Sequence, residues 1–231
     1  LVTNARISEA ASHRVKDLST SRLVPKMGMI DGKQLLEWWD RSPNSLPPLD
    51  LRQYQEEAFQ VINQDLESRG RAFLVLATGL GKTVVAGEVV KAFLMQRPRA
   101  RVLLLAHKSD LVLQLESSIW RHLAKQTPTD MIRAETRPDM LRGVIFSTRQ
   151  SAVQYVRNGF VPDLIVIDEA HNFAENGEYA EILERCHGVP VLGVTATPWR
   201  QDEFDIRRVF GEPSYQMGIT EAMKLGYLST V

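Results

Sequence analysis

The residues best suited to chemistry lie in Ala77-Thr78-Gly79-Leu80-Gly81-Lys82-Thr83. Gly79 and Gly81 let backbone N–H groups turn toward an anion, and a helix opening on Lys82-Thr83 adds its positive end. Lys82 is placed to reach the β- and γ-phosphates of a nucleoside triphosphate, and the Thr83 hydroxyl to ligate Mg²⁺. The usual pattern carries a glycine five residues before the last one. Here that position is Leu76. A second group, Asp168-Glu169-Ala170-His171, follows the apolar run Leu164–Ile167. An acid ending a buried strand beside the phosphate-loop strand can hold the metal side. Its neighbour can orient and polarise an attacking water, giving Asp168 and Glu169 separate roles. Read alone, the same acids also suit a helix N-cap. Thr195-Ala196-Thr197-Pro198 ends a further strand, and its hydroxyls can bridge the acids to whatever moves on hydrolysis. Read alone, it is also a polar turn stopped by proline.

These groups need a scaffold that brings them to one edge. Short apolar strands are expected at 72–77, 101–106, 143–147, 163–167 and 189–194, with a shorter one at 131–133. Helices are expected at 52–66, 82–96, 110–125, 149–156 and 179–187, with helical stretches near 202–210 and 219–225. Continuously apolar strands alternating with helices predict a parallel sheet covered on both faces. Ligands of such sheets sit at the carboxyl ends of the strands. Every polar signature above falls there.

The 231 residues suffice for one large domain or for a domain with an appendage. Apolar residues at 44% and charged residues at 24% are those of an ordinary globular protein. Lysines and arginines balance aspartates and glutamates to a formal net charge of zero, so nucleic-acid contact must come from local patches. The single cysteine, Cys186, excludes a disulfide framework, reads as a core residue and fits an intracellular setting. No run approaches the ~18 apolar residues that cross a bilayer, so no membrane partner is expected. Residues 1–48 read as an extension or linker with a short helix at 32–40, and residues 49–231 as the main domain. The basic, Ser- and Thr-containing start fits a transit peptide and a flexible linker alike. The chain begins with Leu1, as a fragment or processed product does.

Together the motifs resemble superfamily 2 helicases and translocases, in the group of restriction-enzyme motor subunits. The matching pieces are Leu51–Gln55, Ala77–Thr83, Ala106–Gln114, Phe146–Ser151, Asp168–His171 and Thr195–Pro198, in the family's order. His171 separates the chain from the DEAD-box RNA helicases, which have Asp there. The resemblance implies a P-loop NTPase of RecA-like α/β fold, the first motor domain of an ATP-dependent enzyme. It implies ATP and Mg²⁺ as cofactors. Arg52 and Gln55 match the adenine-reading motif, alongside Thr78, Gly79, Leu80, Gly81, Lys82 and Thr83 as nucleotide-binding residues. Lys82, Asp168 and Glu169 are implied as catalytic, Thr83 and Asp168 as metal-binding, and His171, Thr195 and Thr197 as coupling residues. His107, Lys108, Gln114, Thr148 and Gln150 match positions that touch a nucleic-acid backbone, DNA rather than RNA. A second RecA-like domain carrying an arginine finger is expected after Val231. Without it the fragment is expected to hydrolyse ATP poorly or not at all. The alternatives are a P-loop ATPase that does not act on nucleic acid, or a non-catalytic nucleotide-binding module.

Overall fold

The computed structural model describes residues 37–38, 40–42, 49–132, 138, 140–197 and 204–229. Two compact units are distinguished, Leu1–Asn44 and Ser45–Val231. In the first, Glu37, Trp38, Asp40 and Arg41 are helical and Trp38 is exposed. The expectations for Trp39, Arg133, Pro198 and Trp199 lie outside the described residues.

The second unit is built on seven parallel strands. They are β1 (Arg71–Leu76), β2 (Val102–Ala106), β3 (Thr129–Ile132), β4 (Val144–Thr148), β5 (Leu164–Asp168), β6 (Val191–Thr195) and β7 (Tyr215–Met217). Their order across the sheet is β3-β4-β2-β5-β6-β1-β7. The helices are α1 (Gln53–Arg69), α2 (Lys82–Gln96), α3 (Ser109–Trp120), α4 (Arg149–Arg157), α5 (Glu178–Arg185), α6 (Arg207–Phe210) and α7 (Ile219–Lys224). A 3₁₀ turn spans Ala170–Asn172.

The pleat sends alternate side chains to opposite faces, so each strand feeds two cores. On one face Ala72, Leu74 and Leu76 of β1 and Val102 and Leu104 of β2 pack with Ala58 and Ile62 of α1 and Val85 and Val89 of α2. On the other, Phe73, Val75, Leu103 and Leu105 pack with Val153 of α4, Ile182 of α5 and Phe210 of α6. This two-faced cover explains the unbroken apolar runs of the strands. Leu76, in place of the expected glycine, is fully buried there, and Cys186 is buried in the second core.

Three expectations need correction. β5 does not lie beside β1, because β6 pairs with both and stands between them. Crossover order is not encoded in periodicity. The helix expected to reach Lys125 ends at Trp120, although Leu123 beyond it is still buried. Strand β7 was not anticipated. Its three residues, Tyr-Gln-Met, are too few and too polar to register as a strand, yet they pair with Leu74–Leu76 of β1.

Candidate nucleotide site at the carboxyl edge

The loop between β1 and α2 takes its shape from two glycines with positive φ, Gly79 at 88° and Gly81 at 79°. Gly81 is the N-cap of α2, where a side chain would be strained. It would also be crowded, since a Cβ there would lie 2.5 Å from Gln55 Nε2. Within α2 the first helical acceptor, Gly81 O, is taken by Val84 and Val85 N–H. The N–H groups of Lys82 and Thr83 therefore open the helix without helical acceptors, as an anion site requires.

Leu80 behaves differently from its neighbours. Its side chain is buried, its N–H donates to Ala77 O, and its carbonyl accepts from Tyr54 Oη at 2.8 Å and Gln55 Nε2 at 3.0 Å. Leu80 anchors the loop, leaving its neighbours to face the cleft. Gln55 is likewise turned inward, because its Oε1 accepts from Arg52 N–H at 3.0 Å. The expected adenine-reading amide thus has both its nitrogen and its oxygen engaged within the protein. Arg52 is exposed at the start of α1 and donates through Nη1 to Tyr227 O at 3.3 Å.

Gly79, Gly81, Lys82 and Thr83 line one cleft of about 450 Å³ with Asp168 and Glu169. Leu111, Gln114, Leu115 and Ser118 of α3 complete its wall. Sequence reasoning missed the three α3 residues other than Gln114, and it grouped Gln114 with the nucleic-acid contacts. The structure places Gln114, an exposed residue, beside the phosphate loop. Thr78 is exposed at the loop's start.

Burial pushes the Asp168 carboxyl up to about 6, and the neighbouring Glu169 charge adds to this. The Glu169 N–H and Lys82 act in the opposite direction. Glu169 has φ 49° and ψ 52°, the only positive-φ non-glycine among the described residues. A non-glycine residue in that region is strained by about 1–2 kcal/mol. The strain marks the turn that separates Glu169 from Asp168 at the strand end.

His171 ties this turn to β6. Its Nδ1 lies 2.9 Å from Thr195 Oγ1 and 3.1 Å from Glu169 Oε2. Asn172 Nδ2 donates to Glu169 O and lies 3.3 Å from His171 Nε2. With Asn172 Nδ2 assigned as donor to Nε2, the matching neutral tautomer carries its proton on Nδ1, which faces both Glu169 and Thr195. Thr195 Oγ1 then donates to Thr197 O and accepts from Thr197 N–H. The interposed β6 thus supplies a hydrogen-bonded path from the acid to the Thr195–Thr197 turn.

The expected nucleic-acid residues lie at neighbouring strand ends, where Ala106 of β2 pairs with Thr148 of β4. His107 follows Ala106, and its Nδ1 is buried with no hydrogen-bond partner. Burial, with Lys108, Arg149 and His171 nearby, holds its pKa below the usual range. Lys108 and Gln150 are exposed. Thr148 caps α4 by accepting from Ser151 N–H at 3.3 Å. Its hydroxyl therefore already has a structural role. Arg149 pairs with Glu178 at 3.2 Å and lies over the Tyr179 ring.

Metal donors fit a phosphate-supported ion rather than a protein cage. Among the described residues there is no cluster of three or more His, Cys, Asp or Glu able to hold a metal. Thr83 and Asp168 share the cleft, and Mg²⁺ typically takes one or two protein ligands, completing its shell with phosphate and water.

Residues 48–200 match the family described as Type III restriction enzyme, res subunit. The Type I restriction enzyme EcoAI endonuclease subunit of Escherichia coli is 29% identical over 198 residues, covering 77% of this chain and 23% of that protein. The ATP-dependent DNA helicase MPH1 of Pyricularia oryzae is 26% identical over 190 residues, covering 76% of this chain and 16% of that protein. The chain thus spans less than a quarter of either relative. A solved structure of the Type ISP restriction-modification enzyme LlaGI, in complex with a DNA substrate mimic, superposes with a TM-score of 0.62 at 20% identity. It covers 77% of this chain and 21% of that one. At that identity the likeness speaks for the fold, which is the RecA-like α/β architecture. The family match covers Gln55, the loop, the acid pair and the Thr195–Thr197 turn in a single span, and the chain belongs to the Type III restriction enzyme res-subunit family.

Proposed function

We propose that this chain is the ATP-binding half of an ATP-dependent motor that tracks along duplex DNA. The observation that carries it is the meeting of Lys82, Thr83, Asp168 and Glu169 in one cleft, with Glu169 linked through His171 to Thr195. Lys82 and the open N–H groups at the start of α2 hold the β- and γ-phosphates. Thr83 and Asp168 would hold Mg²⁺, which would neutralise charge on the phosphate oxygens. Glu169 accepts a proton from the attacking water, and His171 and Thr195 pass the change to the Thr195–Thr197 turn. The name of MPH1, an ATP-dependent DNA helicase, supports DNA as the track. His107, Lys108, Thr148 and Gln150, clustered at the β2 and β4 ends, are proposed to meet its phosphates, a contact that weakens with salt.

Among the described residues lining the cleft none is an arginine. A second RecA-like domain supplying one completes the transition state, and the chain by itself turns ATP over slowly. The test is ATP turnover by a longer protein that carries this chain ahead of such a domain, measured with duplex DNA, single-stranded DNA and RNA. Stimulation by duplex DNA is expected. A rate indifferent to all three would exclude the motor reading.

A further inference from the structure

The phosphate cleft accounts for only part of a nucleotide. Its lining contains no aromatic residue, whereas a base is best held by a flat apolar face. The amide expected to read the base is committed to Leu80 O and Arg52 N–H. Further contacts to the nucleoside are therefore to be sought around the loop.

The segment after α7 meets three conditions. Leu228 Cδ2 lies 3.4 Å from where a Cβ on Gly79 would stand, and Gly79 also lines the phosphate cleft. The Tyr227 ring packs on Tyr54 with centroids 4.5 Å apart and planes tilted by 59°. The Tyr227 carbonyl accepts from Arg52, the exposed cation at the start of α1. The two tyrosines differ in what they can offer. Tyr54 is 2% exposed and its hydroxyl is committed to Leu80 O, while Tyr227 is only half-buried. Tyr227 is thus the aromatic residue of this pair with a face left to present.

We propose that Tyr227 and Leu228 form the nucleoside-side wall of the site, with the Tyr227 ring stacking on the base and Leu228 packing beside Gly79. This rests on the reading that the loop binds a nucleoside triphosphate. Pairing with β1 ends at Leu76–Met217, and Ala77 N–H donates to Met217 O, so the segment is positioned by the strand that carries the loop. Stacking is sequence-tolerant. The wall therefore adds affinity for the nucleoside and depends on aromaticity rather than on the tyrosine hydroxyl.

The test is calorimetric titration of this chain with Mg-ADP and, separately, with inorganic tripolyphosphate. Tyr227→Ala is expected to weaken ADP about tenfold while leaving tripolyphosphate unchanged, and Tyr227→Phe to retain both. An equal loss for both ligands would mean that Tyr227 only braces Tyr54 and the loop, and would overturn the proposal. Unchanged ADP affinity in Tyr227→Ala would also overturn it. Failure of the unsubstituted chain to bind either ligand would refute the nucleotide reading itself, and the wall with it.

Discussion

At the ends of β1 and β6, polar groups are tied to partners inside the domain. Leu80 O accepts two side-chain donors, Gln55 is satisfied at both ends of its amide, and His171 joins Glu169 to Thr195. The ends of β2 and β4, with the neighbouring start of α5, are left less complete. His107 Nδ1 is buried without a partner, and the Tyr179 hydroxyl is buried beside Arg149 without a well-formed hydrogen bond. Leaving such a group unmatched costs about 1–3 kcal/mol. One region is preorganised, and is proposed to hold its ligand without help from another domain. The other retains polar capacity that its own fold does not use, on the side where nucleic acid is proposed to lie.

The sharpest challenge to the first region is Gly81→Ala. The residue would have to keep a φ of 79° and displace Gln55 from Leu80. A stability loss of about 2–4 kcal/mol is expected from strain and overpacking, with nucleotide affinity lost as well. Urea unfolding and ADP titration measure both. A variant of unchanged stability and affinity would show that the loop is not held as tightly as its contacts imply.

Asp168→Asn is expected to have the opposite sign on stability. The folded carboxyl titrates near 6, above its ordinary value of 3.8. Between those values the native state holds the proton more tightly than the unfolded chain, so stability falls as pH rises. The asparagine variant should match the parent near pH 4 and exceed it by about 2–3 kcal/mol at pH 7. It should also lose Mg²⁺-dependent nucleotide binding. Equal stabilities across that range would remove the buried-acid account of the site.

A smaller and more discriminating pair makes the same chemical change in each region. Tyr54→Phe removes a donor from Leu80 O and should cost about 1 kcal/mol. Tyr179→Phe removes a hydroxyl that lies beside Arg149 without a well-formed hydrogen bond, and should cost clearly less than Tyr54→Phe. Thermal unfolding of the two variants gives the comparison directly. Equal losses would erase the distinction between the regions.

The loop and acids were legible because their chemistry is local. β1, the glycine turn and α2 follow from adjacent residues, and α2 begins and ends where periodicity placed it, at Lys82 and Gln96. The burial of Leu76 follows from the strand pattern too. What stayed hidden depends on long-range placement. Nothing near Asp168 shows that β6 will stand between it and the loop. Gln114 looks like any exposed helical amide until α3 folds over the cleft. Gln55 has the right type for a base edge, and only the fold shows that its amide also holds Leu80 O. Tyr227 and Leu228 carry no motif near the loop in sequence, and they reach Tyr54 and Gly79 only through β7 and α7.

In the proposed motor these residues bind ATP, while the group completing the transition state is supplied by another domain. The most direct measurement is the ATP turnover rate at saturating Mg-ATP for the chain alone and for the chain joined to a second RecA-like domain, with duplex DNA present. Removal of an arginine finger costs roughly 10³–10⁵ in rate. Nucleotide binding by the chain alone is expected, lost in Lys82→Ala, with turnover about a thousandfold slower or more than in the joined protein. Equal turnover by the two, with Lys82→Ala inactive in both, would contradict it.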